Sequence, residues 1–244
     1  MTHGMEIYSA TGVLQANAEM IGYFCRRSAV AATRTRLGGN TTPSSLVIPR
    51  GGTIYPIIAI ATNGHALAMS GVDTNNDPVF ACSAPVGTQL NYYVFDYAPN
   101  IPSSNYGIEL YNESGQMTFS SNYFPLQVVS IISAGSQTFP GRTIAAGLQA
   151  LGGRAIAGPV EYYQGGFLVV PGSPYDSTGY LNDGKLYGGR VTNGGQTLSY
   201  DTVSYDDVYI GPEPGDIYVP PDWEYLCPIL AVDVTGIPTN TTFF

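Results

Sequence analysis

Apolar and polar residues alternate at the start of the chain, and the same pattern returns about a hundred residues later. The stretch 4–14 recurs at 107–117, at a constant offset of 103 residues. In each copy every second residue is apolar, which is typical of a β-strand with one apolar face. The identical positions are Gly4 and Gly107, Glu6 and Glu109, Tyr8 and Tyr111, and Gly12 and Gly115.

Each copy is predicted to form a β-hairpin. Turn-forming residues follow the first strand, and Gly12 and Gly115 stand where a short loop needs a positive φ. Two unrelated hairpins are the alternative, since glycine-containing turns between apolar strands are common. A duplicated module favours a structural part over an enzyme, because an enzyme usually needs a single site.

A second internal similarity supports the duplication. The stretches 56–64 and 228–236 are both β-branched runs that open with proline and close with glycine. Such runs are typical of a buried strand followed by a turn. The two stretches are therefore interpreted as equivalent strands of two homologous halves.

The duplication predicts two domains. The Pro- and Ser-rich segment 98–104 lies just before the second hairpin and is the predicted boundary. The first domain is predicted over 1–102. The second, a homologous β-domain over 103–244, is enlarged by an insertion at roughly 140–222.

The composition favours an all-β protein of two tandem β-sandwich-like domains. The chain holds 30 glycines, 18 prolines and 19 tyrosines, a mixture suited to short strands joined by many turns. The stretch 143–151 has the strongest helical character, although its glycines would limit a helix to a few turns. No apolar run reaches the ~18 residues of a membrane-spanning helix.

Charged residues are few and unevenly placed. They make up 11% of the chain, well below the roughly 25% of a typical soluble domain, so we expect partner chains to cover much of the surface. Residues 103–244 hold thirteen of the eighteen acidic residues, which argues against nucleic acid as a partner. The basic cluster from Arg26 to Arg36 is interpreted as a solvated loop or a subunit contact.

The predicted insertion is rich in aromatic and acidic residues. Such residues can form a protein interface, stack on sugar rings, or simply pack long loops. A calcium site and a pair of glycosidase carboxylates are weaker alternatives, because no loop motif or fixed spacing supports them. The candidate interface or glycan contacts are Tyr205, Tyr209, Tyr218, Asp222, Trp223 and Tyr225.

The sequence predicts no catalytic centre, no cofactor and no metal site. Cys25, Cys82 and Cys227 lack the spacing of metal ligands and are interpreted as buried free thiols. The histidines His3 and His65 accompany no nucleophile motif, and no glycine-rich loop has the features of a phosphate site. The protein is therefore predicted not to be an enzyme, with a hydrolase of cell-envelope polymers as the remote alternative.

The stretch from Tyr106 to Gln116, and its near copy at the start of the chain, resemble the opening of small β-rich tail proteins of tailed bacteriophages. That opening reads Tyr-Gly-[Ile/Leu]-Glu-[Ile/Leu]-[Tyr/Phe]-Asn-x-x-Gly, and the match covers only the two hairpins. The resemblance implies a structural protein of the virion, located at the distal tail in the tail tip, baseplate or fibre region. It implies other tail proteins as partners and a homo-oligomer of three-fold or six-fold symmetry. It adds no catalytic residues, and it leaves binding to a host surface receptor as the alternative.

Overall fold

The computed structural model describes residues 6–8, 14–17, 21–35, 44–53, 56–103, 106–132, 134–149, 167–176, 179–210, 224–225 and 229–244. In these residues the regular structure consists of antiparallel β-strands and two 3-10 turns, Ala98–Asn100 and Asn193–Gly195. The prediction of an all-β protein is confirmed.

The first half of the chain forms a hairpin followed by six strands. Of these six strands, the first pairs with the sixth and the second pairs with the fifth. Three of the six strands lie in one sheet and three lie in the other. These pairings place the six strands in two antiparallel sheets, as in a β-sandwich. The hairpin is β1 (Glu6–Tyr8) and β2 (Leu14–Asn17), and the six strands are β3 (Tyr23–Ala32), β4 (Ser44–Val47), β5 (Ile57–Ala61), β6 (Ala66–Val72), β7 (Pro78–Cys82) and β8 (Gln89–Tyr97).

The second half repeats this order and adds strands to it. Its elements are β9 (Glu109–Tyr111), β10 (Met117–Ser120), β11 (Val128–Ile132), β12 (Ser136–Thr138), β13 (Ile144–Gln149), β14 (Phe167–Asp176), β15 (Gly179–Thr192), β16 (Thr197–Ile210), β17 (Glu224–Tyr225), β18 (Ile229–Asp233) and β19 (Thr241–Thr242). The pair β9–β10 is the hairpin, and β11, β12, β13, β15, β16 and β18 occupy the places of β3 to β8. The strands β14, β17 and β19 have no counterpart among the described strands of the first half.

The two halves join edge to edge in both sheets. Strand β5 pairs with β13 in one sheet, and β6 pairs with β15 in the other. Because both junctions join counterpart strands antiparallel, the halves are related by an approximate two-fold axis. Strands of both predicted units, 1–102 and 103–244, therefore lie in each of the two large sheets.

The duplication extends to the register of the strands. In both hairpins the middle pairs, Ile7 with Ala16 and Leu110 with Phe119, differ by the same 103 residues. The bulge of β3 against β8 lies between Cys25 and Arg27, and that of β11 against β18 lies between Val128 and Ser130. These bulges also differ by 103 residues, so the duplication reaches beyond the hairpins into the first strand of each sandwich half.

The second internal similarity joins strands that are not equivalent. Strand β5 is the third of its half and β18 is the sixth, so the counterpart of β5 is β13. The similarity has a physical origin, because both strands flank β13 and both are followed by a turn with a positive-φ glycine, Gly64 or Gly236.

The position of strand β13 differs from two further predictions. The stretch 143–151, chosen for its helical character, contains this strand, which lies between two partners in the seven-stranded sheet of the described residues. Pairing on both edges outweighs a weak local preference. The strand also falls within the predicted insertion at 140–222, although it belongs to the repeat.

One apolar core spans both halves. Leu46, Phe80 and Ile58 from the first half and Ile144 and Leu198 from the second are fully buried in a common cluster between the sheets. The sheets approach closely at the junction, where a Cβ on Gly189 would lie 2.8 Å from the Cβ of Ala146. The core therefore belongs to neither half alone.

Candidate functional site

The hairpin β9–β10 carries an exposed apolar surface. It forms a two-stranded sheet apart from the two large sheets. Tyr106 is 77% exposed, Ile108 49% and Tyr111 44%. Large apolar side chains that stay exposed can mark an interaction site.

The turn of this hairpin is held by one asparagine. The Asn112 Oδ1 atom accepts hydrogen bonds from the backbone N–H of Ser114 at 3.1 Å and of Gln116 at 2.9 Å. Gly115 has a φ of +72°, as predicted from the sequence. An asparagine that bonds to the backbone ahead of it is a common device of tight turns.

Gly107 fixes the entry to the hairpin. Its φ is +93°, and a Cβ at this position would lie 2.5 Å from Asn122 Oδ1 and 2.6 Å from Ser121 Oγ. Ser121 Oγ accepts the N–H of Ile108, and the Asn122 amide donates to the carbonyl of Tyr106. Glycine thus leaves room for the two side chains that hold the exposed segment.

Alanine substitutions at Gly115 and Gly107 are expected to distinguish the cost of a strained backbone from the added cost of displaced neighbouring side chains. Gly115→Ala adds a Cβ in open space, so only the left-handed backbone is penalised, by about 1–2 kcal/mol. Gly107→Ala adds the loss of hydrogen bonds from Ser121 and Asn122, roughly 1 kcal/mol more. Urea unfolding measures the loss of unfolding free energy for each variant. Equal losses would show that the Asn122 and Ser121 contacts contribute nothing.

The two other repeated residues of this hairpin bind each other. The hydroxyl of Tyr111 donates to the Glu109 carboxylate at 2.6 Å, and this hydrogen bond raises the pKa of Tyr111. The Tyr111 side chain is 44% exposed. Its exposure indicates that a change to Phe or Ala would affect stability only slightly.

The first hairpin repeats the backbone of the second. Glu6 pairs with Asn17, and Tyr8 pairs with Leu14, as Glu109 pairs with Ser120 and Tyr111 with Met117. The other two repeated positions of this hairpin, Gly4 and Gly12, lie outside the described residues.

The predicted aromatic cluster is only partly described. Tyr205 and Tyr209 lie on β16, in register with Lys185 and Leu181 of β15. Tyr225 lies on β17, which pairs with β14 on the other side of β15. The remaining members, Tyr218, Asp222 and Trp223, lie outside the described residues. Strands β17, β14, β15 and β16 thus form a four-stranded extension of the second sheet.

The basic cluster is largely a strand and not a loop. Arg26 and Arg27 lie on β3, where Arg26 forms an ion pair with buried Asp96. Arg27 donates to the carbonyl of Pro49 and stacks over the Tyr92 ring at 5.5 Å. These two side chains are engaged within the chain, and Arg36 lies outside the described residues.

The C-terminal segment closes over this strand, a contact that the sequence analysis did not identify. Strand β19 pairs with β3, and the Phe243 N–H donates to the Arg26 carbonyl at 2.9 Å. Phe243 packs edge-on against Phe124, and Phe244 against Tyr123. No local pattern signals such a contact, since more than 200 residues separate its two sides.

Cys25 and Cys82 are buried free thiols, as predicted, and Cys227 lies outside the described residues. Burial raises the pKa of Cys25 from 9.0 to about 12 and raises that of Cys82. The neutral thiol of Cys25 therefore stabilises the fold fully below pH 9, and this contribution is lost as the pH rises from 9 to about 12.

Both thiols are expected to resist alkylation in the native protein at pH 8. The thiolate is the reactive form, and burial suppresses both its formation and its access. Iodoacetamide followed by peptide mass spectrometry should find Cys25 and Cys82 unmodified until denaturant is added. Rapid native modification of Cys25 would contradict its burial.

In the described part of the chain, no group of three or more His, Cys, Asp or Glu side chains could hold a metal ion, and no helix is long and apolar enough to cross a membrane. Comparisons with protein-family models, curated proteins and solved structures found no match to this chain.

Proposed function

We propose that the protein is a structural component of a bacteriophage virion. It lies in the tail tip or baseplate and connects or decorates the tail fibre or spike through protein–protein interfaces. The observation that supports this most directly is the exposed hairpin. The stretch that resembles phage tail proteins, Tyr106 to Gln116, carries the exposed side chains of Tyr106, Ile108 and Tyr111, and its strand belongs to a two-stranded sheet apart from the two large sheets.

The distribution of stabilising contacts agrees with such a role. The sandwich has its own continuous core, and the exposed side chains of Ile108 and Tyr111 are not part of it. The low charge content leaves few groups to desolvate when such a surface is covered. A symmetric assembly of three or six copies would present this surface repeatedly.

Immunogold electron microscopy of purified virus particles tests the location. Antibody raised against the recombinant chain is expected to label only the distal end of the tail. Antibody against a known tail-tube protein is the positive control. Particles that bind the control antibody but not this one would exclude the proposal.

A receptor- or glycan-binding role is the second candidate, and the four-stranded extension favours it. Strands β15 and β16 are each 14 residues long, whereas their counterparts β6 and β7 have seven and five. The extension therefore adds surface to one repeat only, and it carries Tyr205, Tyr209 and Tyr225. Trp223→Ala is expected to abolish adsorption to host cells while particles still assemble. Failed assembly instead would assign this region to a subunit interface.

A further inference from the structure

The two edge strands β3 and β11 are counterparts in the repeat. Each begins its half of the sandwich, each pairs on its inner side with the sixth strand of that half, and each has its bulge at the same repeat position. The two-fold relation therefore predicts that the outer edges of β3 and β11 need the same kind of cover.

The outer edge of β3 is covered by the chain itself. Thr241 pairs with Ser28, and Ser28 Oγ accepts the Thr241 N–H at 3.2 Å. Phe243 packs on Phe124 with ring centroids 5.5 Å apart. Cys25 and Ser28 are almost completely buried.

The corresponding positions around β11 are apolar and exposed. At the offset of 103 residues, Val128 corresponds to Cys25, Ile131 to Ser28 and Ile21 to Phe124. Val128 is 42% exposed, Ile131 63% and Ile21 41%. No strand of the described part of the chain pairs with the outer edge of β11.

This edge lacks the usual protection against strand addition. Natural edge strands carry charges, especially lysine, or proline to prevent edge-to-edge pairing. Residues 128–132 contain neither. Their bulge alone does not prevent pairing, because the bulged edge of β3 accepts β19.

We propose that β11 is a docking edge for an extended segment of a different protein. The segment adds antiparallel to β11 in the register that β19 uses on β3. It is uncharged where it pairs, like residues 238–244, and it places apolar or aromatic side chains over Ile131 and Ile21.

Charge distinguishes this partner from a second copy of the chain. The whole net charge of −9 lies in residues 103–244, the half that contains β11. Pairing two copies through this edge would bring like charges together. A segment from a less acidic chain pays no such penalty, and its main-chain hydrogen bonds supply affinity, as in other cases of strand addition.

The outer edge of β11 would supply a surface for the interfaces of the proposed function, but its role is inferred from the repeat, the exposed side chains and the charge of this half. Location in the virion and binding at β11 are measured separately, so either can fail without the other.

Nuclear magnetic resonance of the full ¹⁵N-labelled chain tests the inference. The probe is a synthetic peptide with the sequence of residues 237–244, with two lysines added at its amino end for solubility. Amide shifts are expected at 128–132 and near Ile21. The amides of Arg26 to Ser28 should not shift, because the chain's own β19 occupies that edge. A scrambled peptide is the negative control.

A matched pair of variants locates the site independently. Ile131→Lys is expected to weaken peptide binding at least tenfold, whereas Val86→Lys, at a 55% exposed turn position, should bind like the unchanged protein. Thermal unfolding of both variants verifies that each is folded.

The proposal would be overturned by no shift at 128–132 at millimolar peptide, by shifts at β3 instead, or by unchanged peptide binding of Ile131→Lys. A dimer in sedimentation equilibrium that Ile131→Lys abolishes would also overturn it, because the edge would then belong to a second copy.

Discussion

Residues 1–103, produced as a separate polypeptide, are expected to yield no folded monomer. Removing the second half removes three strand pairings, those of β13 with β5, β15 with β6 and β19 with β3. Ile58 and Ile60 on β5 are fully buried, and each loses part of a burial worth about 1.5–3 kcal/mol. These losses compare with a total stability of about 5–15 kcal/mol for a typical domain.

Circular dichroism and light scattering after size exclusion measure this outcome, with the full chain as the control. A dimer of the isolated half would agree with the two-fold relation, because a second copy can take the place of the missing repeat. Co-expression with residues 104–244 is expected to restore a folded complex. A monomeric half with a cooperative unfolding transition would instead show that the two repeats are independent domains.

Asp96→Ala is expected to destabilise the protein by about 3 kcal/mol, roughly 1 kcal/mol for each of three hydrogen bonds that lose their acceptor. The Asp96 side chain is fully buried, and its Oδ2 accepts from Arg26 at 3.1 Å. Its Oδ1 accepts from the Tyr97 N–H and from the Asn100 amide, which join β8 to the segment between the repeats. All three donors would lose their acceptor.

The second repeat offers the matched control. Asp233 ends the counterpart strand β18 and pairs with Arg142 at 2.8 Å, but that arginine side chain is 47% exposed. An exposed pair contributes about 0–1 kcal/mol, so Asp233→Ala is expected to have a much smaller effect. Urea unfolding of both variants measures the difference. Similar losses would show that burial of Asp96 does not set the strength of its contacts.

Local patterns in the sequence were sufficient for the hairpins. The strand of the second hairpin follows from the alternation of Glu109, Leu110 and Tyr111. Its turn and positive φ follow from the glycine at 115. The same holds for the buried thiols, because the apolar neighbours of Cys25 and Cys82 lie in the strands that bury them. The candidate contacts Tyr205, Tyr209 and Tyr225 remain predictions about function, although their strands are now placed.

Contacts between distant segments could not be predicted in this way. The residues around Gly147 have a weak local preference for helix. In the structure they form a strand, and a Cβ on Gly147 would lie 2.8 Å from Leu230 and Val232 side-chain atoms of the paired strand. Glycine is required there by a neighbour more than eighty residues away. The similarity of 56–64 to 228–236 predicted the wrong pair of equivalent strands. Similar burial produces similar residues in strands that are not equivalent.

The sequence by itself determined that the protein is all-β and that a unit is duplicated at an offset of 103 residues. Each of these depends on residues close together in the chain or on direct identity between two stretches. Only the tertiary structure decided that the repeats share two sheets, that β13 is the counterpart of β5, that β19 pairs with the edge strand β3, and that no described strand pairs with the outer edge of β11. Those outcomes depend on which strand edges meet in space, because every strand edge offers the same backbone hydrogen bonds and only packing selects among them.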